Sequence, residues 1–212
     1  MKELIVISGN IGAGKSTFLH SFVNFLNEKV EKDVILVEEG IESDPVFKEK
    51  LSKYYEDPNF RIDFQKYLTE FRHKRLQEYP DNTILVSERG LMDDVVFSNA
   101  TSLELENVNG DYITYYYDLI KRLKYDYPKV LANVYLRTDP SKCLENIKLR
   151  GREEEQDIDQ LYINTLHHCH EAFLPNMAQK FNYPLIGFDF NNHTDHQVAC
   201  NFIYNRIIDL ID

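Results

Sequence analysis

The chain lacks an excess of positive charge, and this absence limits the partners it can bind. Lysine and arginine number 24 against 35 aspartates and glutamates, which gives a formal net charge of -11 and a sequence pI near 5.1. Proteins that bind nucleic acid need basic surfaces to displace the counterions of the phosphate backbone. We therefore expect no nucleic acid partner and a small-molecule ligand instead.

Long apolar runs and cysteines are also scarce. No apolar run approaches the roughly 20 residues that span a bilayer, and Met1–Ile7 lacks the apolar stretch of a signal peptide. The three cysteines, Cys143, Cys169 and Cys200, show no CxxC spacing, so neither a disulfide framework nor a thiolate zinc site is indicated. We expect a cytoplasmic protein with free thiols and no membrane partner.

The hydrophobic pattern predicts a single α/β domain over residues 1–212. Short apolar runs rich in β-branched residues alternate with segments of helical periodicity, which is typical of a parallel sheet with helices on its faces. The predicted strands are Leu4–Ser8, Val34–Val37, Thr83–Val86, Asn133–Leu136 and Pro184–Phe188. The predicted helices include Thr17–Lys29, Arg61–Gln77, Asp111–Lys124, Ser141–Leu149 and Asp157–Phe181. Two polar stretches, 104–111 and 150–159, are predicted to be exposed or mobile.

A phosphate-binding motif follows the first predicted strand. The sequence satisfies GxxxxGK[ST] between a strand and a helix, the context that a P-loop requires. Its residues are Gly9, Asn10, Ile11, Gly12, Ala13, Gly14, Lys15, Ser16 and Thr17. The glycines allow backbone N–H groups to surround the phosphates of ATP, Lys15 reaches the β- and γ-phosphates from an exposed loop, and Ser16 ligates Mg²⁺.

A P-loop occurs in GTPases, motors and several classes of kinase. The sequence contains no [NT]KxD tetrapeptide that reads guanine and no DxxG after a strand. These absences favour a small-molecule kinase over a GTPase.

Further segments resemble one kinase family in order along nearly the whole chain. They are the P-loop, the region of Glu39, the pair Phe64 and Gln65, and the segments 87–89, 135–140, 149–156 and 166–171. This set resembles the deoxynucleoside kinase family, especially its deoxycytidine, deoxyguanosine and deoxyadenosine kinase branch. The resemblance implies a P-loop NTPase-type five-stranded parallel sheet flanked by helices, with a lid segment. It also implies a homodimer that transfers the γ-phosphate of ATP or another nucleoside triphosphate to the 5′-hydroxyl of a deoxynucleoside.

A candidate catalytic base lies at the end of the second predicted strand. Glu38 and Glu39 stand at the carboxyl edge of the sheet, where open α/β sheets bind ligands. By resemblance Glu39 accepts the proton of the 5′-hydroxyl, with Glu38 as the alternative because Gly40 replaces the proline of the family. Two solvated loop glutamates are the alternative without a catalytic role.

The third predicted strand delivers Glu88 and Arg89 to the same edge. The resemblance assigns Glu88 to Mg²⁺, and it assigns Arg89 to the substrate oxygen and the transferring phosphoryl group, where a fixed cation counters developing charge. Gly90 replaces the serine of the family motif. A purely structural ion pair between Glu88 and Arg89 is the alternative interpretation.

Recognition of the deoxynucleoside is assigned to a predicted helix and its surroundings. Gln65 and Arg72 are seven residues apart, so about 700° of helical rotation brings them to one face. By resemblance Gln65 pairs with the base edge, Arg72 and Asp94 form a charged pair beside it, and Tyr55 binds the 3′-hydroxyl, with Tyr54 adjacent to it. An exposed helix arginine is the alternative for Arg72.

The remaining assignments concern the phosphate donor. The resemblance makes 150–158 a lid in which Arg150 and Arg152 close over the phosphates and Glu155 binds the sugar. Asn146 replaces a further lid arginine of the family, and Asp189 and Phe190 belong to the loop 189–192, which by resemblance holds the donor base. A solvated loop of mixed charge is the alternative for the lid.

Two other functions are compatible with parts of this pattern. A nucleoside monophosphate kinase of the thymidylate type shares the P-loop and the lid, although a strand-end glutamate would repel a phosphate acceptor. A regulatory subunit that binds nucleotide without transfer is the second, and the joint presence of Lys15, Glu88 and Arg89 disfavours it. Among deoxynucleosides we expect deoxyadenosine, deoxycytidine or deoxyguanosine to be preferred over thymidine.

Overall fold

The computed structural model describes residues 2–37, 45–104, 110–191 and 196–211. Within them five strands form one parallel sheet in the order β2-β3-β1-β4-β5, with β1 at the centre. The strands are β1 (Glu3–Ser8), β2 (Val34–Val37), β3 (Ile84–Glu88), β4 (Lys129–Arg137) and β5 (Leu185–Asp189). The five-stranded parallel sheet expected from the sequence is thus confirmed.

Helices connect the strands and cover both faces of the sheet. They are α1 (Lys15–Asn27), α2 (Pro45–Glu56), α3 (Arg61–Gln77), α4 (Leu91–Glu104), α5 (Gly110–Tyr125), α6 (Pro140–Arg150), α7 (Gln160–Phe181) and α8 (His196–Ile211). Short 3₁₀ turns occupy Pro58–Phe60 and Glu153–Glu155. Across the described ranges, no helix is both long and apolar enough to cross a membrane.

The central strand β1 shows how the sheet divides the core into two layers. Leu4 and Val6 point into a layer shared with helices α2 to α7, whereas Ile5 and Ile7 point into a layer shared with α1 and α8. All four side chains are fully buried. Successive side chains of a strand point to opposite faces, so a strand buried on both faces is a continuous apolar run.

Most predicted elements lie within a few residues of their observed bounds. The helix α3 has the predicted ends, whereas α1 begins two residues before the predicted Thr17 because Gly14, in a left-handed conformation at φ 88°, caps it directly. The helix α7 begins at Gln160 rather than Asp157, since the side chain of Asp159 caps it by accepting the N–H of Tyr162. The cysteines Cys143, Cys169 and Cys200 are free and buried.

Candidate active site

A cleft of about 990 Å³ opens at the carboxyl edge of the sheet. The P-loop and the ends of β2 and β3 line its floor. The helices α2, α3, α4 and α6, the 3₁₀ turn Glu153–Glu155 and the start of α8 contribute its walls. This is the edge at which open α/β sheets bind ligands.

The P-loop is shaped by two glycines in the left-handed region. Gly12 has φ 76° and Gly14 has φ 88°, conformations that cost other residues about 1–2 kcal/mol. A Cβ atom on Gly12 would lie 2.3 Å from the carbonyl oxygen of Cys143, so this glycine is also required by the close approach of α6. Since α1 begins at Lys15, the N–H groups of its first turn lack helical partners and face the cleft side of the loop.

Side chains around the P-loop hold its shape. Asn10 donates its side-chain amide to the Ile163 carbonyl at 2.9 Å and accepts the N–H of Ile11 at 2.8 Å. Thr138 donates to the carbonyl of Ala13, and Asn146 donates to that of Gly12 at 2.8 Å. Asn146 therefore fastens α6 to the loop, a role that the sequence did not reveal.

Lys15 corrects one expectation from the sequence. It was predicted to extend from an exposed loop, but it lies in the first turn of α1 and is only 4% exposed. Its ammonium group donates to the Asn10 carbonyl at 2.8 Å and lies 3.6 Å from Oε1 of Glu88. Burial, reinforced by the nearby Arg89, lowers the pKa of Lys15 to about 8 against the opposing influence of Glu88.

The charged residues predicted near the phosphates converge. The hydroxyl of Ser16 donates to Oε2 of Glu88 at 2.7 Å, and the guanidinium of Arg89 lies 3.6 Å from Oε1 of the same carboxylate. Burial alone would raise the pKa of Glu88, but Lys15 and then Arg89 outweigh it and hold that pKa below its ordinary value. Ser16 and Glu88 thus present hydroxyl and carboxylate oxygens, the ligand type that Mg²⁺ prefers, beside two cations suited to phosphate.

Arg89 occupies an unusual backbone conformation. Its φ of 60° lies in the left-handed region, while its N–H donates to the Ile7 carbonyl at 3.0 Å. The guanidinium lies 5.1 Å from the ring centroid of Phe97, so the side chain crosses an aromatic face on its way into the cleft. Strained backbone of this kind concentrates at functional sites.

The residues assigned to the deoxynucleoside lie at the α3 wall of the cleft. Gln65 and Arg72 both line it, as the helical spacing predicted, and Gln65 is only 2% exposed. Asp94 is fully buried and forms an ion pair with Arg72, while its Oδ2 accepts the hydroxyl of Thr69 at 2.8 Å. The charged pair is therefore present, with Arg72 on the wall and Asp94 beside it in the interior.

Both tyrosines considered at the sugar position line the cleft. The hydroxyl of Tyr54 is engaged with that of Tyr162 in a buried hydrogen bond. Tyr55 lies near Glu155 and Arg150, and burial raises the pKa of its phenol well above the ordinary value. Tyr55 is thus the one of the two whose surroundings include the lid.

The lid assigned to 150–158 is ordered around one carboxylate. Glu155 accepts hydrogen bonds from Arg150 and, at 3.4 Å, from Arg152, and all three side chains line the cleft. Glu155 is only 5% exposed, so the prediction of an exposed segment is wrong at this residue. Its burial follows from the two arginines, which supply the countercharge that a buried carboxylate requires.

Asp189 ends β5 and Phe190 follows it, beside the opposite wall of the cleft. Phe190 is buried, lines the cleft and stacks at 5.9 Å on the imidazole of His196. Asp189 is exposed and accepts the N–H of Asn191 at 3.0 Å, which turns the chain after β5. The following residues, 192–195, lie outside the described part of the chain.

Glu38 and Glu39 also lie outside the described residues. Val37, the last residue of β2, lines the cleft directly before them. Residues 105–109 of the first polar stretch are outside the described ranges too.

Among the cleft residues that the sequence interpretation missed are Phe97, His20 and His196. Phe97 follows Asp94 by one helical turn, and this spacing could have indicated a shared face. His20 lies four residues after Ser16 on α1, outside the P-loop motif, and His196 begins α8, which carries no predicted site residue.

Comparison with known proteins identifies relatives along the whole chain. The sequence model of the family "Deoxynucleoside kinase" matches residues 5–212. The chain is 29% identical over 210 residues to deoxyguanosine kinase of Dictyostelium discoideum, which covers 96% of this chain and 69% of that protein. It is 31% identical over 221 residues to deoxycytidine kinase 1 of Xenopus laevis, covering 88% of this chain and 82% of the relative. A solved structure of deoxyadenosine kinase from M. mycoides with bound dCTP superposes with a TM-score of 0.69 at 27% identity, over 99% of this chain and 100% of that one.

Proposed function

This chain belongs to the deoxynucleoside kinase family, and we propose that it transfers the γ-phosphate of ATP to the 5′-hydroxyl of a deoxynucleoside. One observation carries the proposal. A single cleft contains Lys15, Ser16, Glu88 and Arg89 at one end and Gln65, Arg72 and Tyr55 along its wall. The first group suits a triphosphate, and the second group suits a neutral nucleoside with hydrogen-bonding edges.

The triphosphate is bound by charge and by oriented N–H groups. The first turn of α1 directs N–H groups and the positive end of the helix dipole to the β- and γ-phosphates, and Lys15 adds a buried cation. When the triphosphate binds, Arg150 and Arg152 give up part of their interaction with Glu155 and contact the phosphates instead. This movement closes the cleft and excludes water from it. Phe190 and His196 offer apolar faces to the donor base.

Magnesium fits the oxygen ligands present. The hydroxyl of Ser16 and the carboxylate of Glu88 are already in contact at 2.7 Å, and Mg²⁺ is usually held by one or two protein oxygens together with phosphate oxygens. When bound, the ion supplies positive charge that neutralises the phosphate oxygens. Arg89 supplies a fixed cation for the charge that develops on the transferring phosphoryl group.

The acceptor hydroxyl requires a base, and we assign this role to Glu39 with Glu38 as the alternative. The support is their position directly after Val37, the last described residue of β2 at the cleft. Glu39→Gln should lower turnover by roughly two to four orders of magnitude with little change in nucleoside binding. The matched variant Glu38→Gln is the control: near-normal turnover of Glu39→Gln beside an inactive Glu38→Gln would move the role to Glu38.

The choice of base rests on Gln65, Arg72 and Asp94. Gln65 offers a donor and an acceptor to a base edge, and Asp94 is a carboxylate acceptor whose two oxygens accept from Arg72 and Thr69. An exocyclic amino group, as in adenine, cytosine and guanine, can donate to such an acceptor. Thymine carries a carbonyl and a methyl group instead, so its carbonyl would face these acceptors without a shared proton, and a buried polar group left unpaired costs on the order of 1–3 kcal/mol.

The specificity is tested by kcat/KM for the four deoxynucleosides. We expect deoxyadenosine, deoxycytidine or deoxyguanosine to exceed thymidine in the wild type. Replacing Arg72 and Asp94 together by apolar residues should move the preference towards thymidine. The double variant lacks the carboxylate that disfavours the thymine carbonyl, and it also lacks the arginine that pairs with that carboxylate. Replacing Lys66, an exposed residue of α3, provides a control for changes in this helix. Thymidine as the best substrate of the wild type would refute the assignment of base preference.

We also propose a homodimer in the cytoplasm. The resemblance to the family supports the dimer, and large apolar side chains on α4 and α5 are exposed, among them Leu103 at 70% and Tyr117 at 68%. Three free buried cysteines suit a reducing compartment. The mass measured by light scattering during gel filtration decides the oligomeric state.

A further inference from the structure

The buried carboxyl group of Asp93 has no role in the function proposed above, although it touches both halves of the phosphate-binding machinery. Asp93 lies in the first turn of α4 and is fully inaccessible to solvent. Its neighbour Asp94 points about 100° further round the helix, towards α3 and Arg72. The two adjacent aspartates therefore serve different surroundings.

One oxygen of Asp93 joins two strand ends. Oδ2 accepts the hydroxyl of Ser8 at 2.7 Å and the backbone N–H of Gly90 at 3.0 Å. Ser8 ends β1 and directly precedes the P-loop, whereas Gly90 directly follows Arg89. The carboxyl group thus links the start of the loop for the phosphate donor to the turn that carries Arg89.

The turn at Arg89 needs such a restraint. Arg89 has φ 60°, a conformation disfavoured for any residue with a side chain. The carbonyl of Gly90 accepts the N–H groups of Asp93 and Asp94 at 2.9 and 3.1 Å, so both backbone groups of Gly90 are held by the first turn of α4. With the N–H of Arg89 on the Ile7 carbonyl, the backbone on both sides of the strained residue is fixed.

The second oxygen of Asp93 makes the group costly to bury. Among the described residues Oδ1 has no hydrogen-bond partner, and it lies 3.9 Å from Nε2 of His170, which also has none. Burial lowers the pKa of His170 to about 3, so its imidazole is neutral and forms no ion pair with the carboxyl group. A buried, incompletely bonded carboxyl group destabilises a fold, which points to a role outside packing.

We propose that Asp93 is a positioning residue for phosphoryl transfer, which fixes the left-handed turn of Arg89 against the P-loop through its bonds to Ser8 and Gly90. The inference rests on the proposed function of Arg89. Displacement of a transition-state cation by about 1 Å can cost on the order of 100-fold in rate. The loss should therefore appear in kcat, while the KM values of ATP and deoxynucleoside, set by other side chains, change little.

A double-mutant cycle with Arg89 separates this role from general damage to the fold. Asp93→Ala should lower kcat roughly 10- to 100-fold, and less than about 3-fold in an Arg89→Ala background, because its effect passes through that arginine. Asp93→Asn keeps an oxygen acceptor for Ser8 and Gly90, so it should restore most of the turnover. Ser8→Ala removes one of the two bonds and should give an intermediate loss.

Ser98→Ala is the matched control, since Ser98 is a fully buried polar residue of the same helix whose hydroxyl donates to the Val95 carbonyl in its own turn. Equal losses from Asp93→Ala in both backgrounds, a loss no larger than that of Ser98→Ala, or an Asn variant as impaired as the Ala variant would each overturn the proposal. A crystal structure of Asp93→Ala gives a readout independent of activity. Arg89 should leave the left-handed region there, and retention of its φ would refute the positioning role even if the kinase assignment itself were wrong.

Discussion

Buried charge is concentrated at the phosphate end of the cleft. Lys15 and Glu88 are both largely inaccessible, and Asp93 is fully buried behind them. Each of these groups loses favourable hydration free energy on folding. Its attraction to the surrounding opposite charges compensates for only part of that loss. Such an arrangement stabilises a bound triphosphate more than it stabilises the free protein, because the low local dielectric strengthens every contact with the ligand.

The titration of Asp93 predicts a dependence of stability on pH. Burial raises the pKa of Asp93 from an ordinary 3.8 to about 6. In the folded protein its carboxyl group is therefore a buried anion above about pH 6 and is protonated and neutral below that pH. The contribution of this group to the free energy of unfolding therefore falls as the pH rises from about 4 to 6 and is constant above. The free energy of unfolding of Asp93→Asn, relative to that of wild type, should therefore rise by roughly 1–2 kcal/mol from pH 5 to pH 8. Urea denaturation of wild type and Asp93→Asn at pH 5 and pH 8 measures this change. A difference in the free energy of unfolding that is the same at both pH values would contradict the prediction.

Individual residues differed in how well the sequence predicted them. The spacing of Gln65 and Arg72 correctly predicted a shared face, because helical periodicity is local information. The burial of Lys15 was not predicted, since it depends in part on residues distant in the chain, such as Glu88. The burial of Glu155 was not predicted, since it depends on the local fold that brings Arg150, five residues earlier, into contact with it. The different roles of Asp93 and Asp94 depend on which residues each side chain contacts in the folded protein. No sequence pattern predicts those contacts.

At the scale of elements, the approach of α6 to the P-loop is the tightest constraint. Gly12 has φ 76° and lies where any Cβ would meet the backbone of Cys143. The bond from Asn146 to the Gly12 carbonyl fastens the same two elements. The helix and the loop are therefore held against each other, and the segment assigned as the lid begins at the end of α6.

A substitution at Gly12 measures this constraint. Gly12→Ala should lower the free energy of unfolding by about 2–4 kcal/mol, since the backbone strain is joined by a clash with α6. Gly151→Ala is the matched control, because Gly151 has φ 65° but the new Cβ would lie 4.0 Å from the carbonyl oxygen of Lys148, an ordinary van der Waals distance. It should cost only the strain, about 1–2 kcal/mol. Equal losses in urea denaturation would show that the approach of α6 is not limiting.

The strands and most helices were predictable because their signals are local. The run Leu4–Ser8 is apolar on both faces, as the two-layered core requires. The starts of α1 and α7 were misplaced because Gly14 and Asp159 set them through cap geometry rather than through apolar periodicity. The helices α2, α4 and α8 were not specified from the sequence, although each follows a strand or its loop as the alternating pattern requires.

Over the whole molecule, the net charge of -11 is opposite to what a triphosphate ligand would favour. Within the cleft the sign of the local charge is reversed, because five cationic side chains line it: Lys15, Arg72, Arg89, Arg150 and Arg152. Local potential in a cleft, rather than net charge, governs the binding of a small anion. The acidic remainder of the surface disfavours polyanions larger than the cleft, which agrees with the expectation of a small-molecule substrate.

The family assignment favours nucleosides over nucleoside monophosphates as acceptors. The relatives matched along the chain include deoxyguanosine and deoxycytidine kinases, and the fold is similar to that of deoxyadenosine kinase from M. mycoides. These comparisons support the kinase function and not the alternative of a monophosphate kinase.

The most direct test is to identify the phosphorylated product by ³¹P NMR. The protein is incubated with ATP and Mg²⁺ and with deoxyadenosine, deoxycytidine or deoxyguanosine, and in parallel with the corresponding 5′-monophosphates. Our account predicts that deoxynucleosides become 5′-monophosphates and that monophosphates stay unchanged. Conversion of monophosphates to diphosphates while the deoxynucleosides stay unreacted would contradict it.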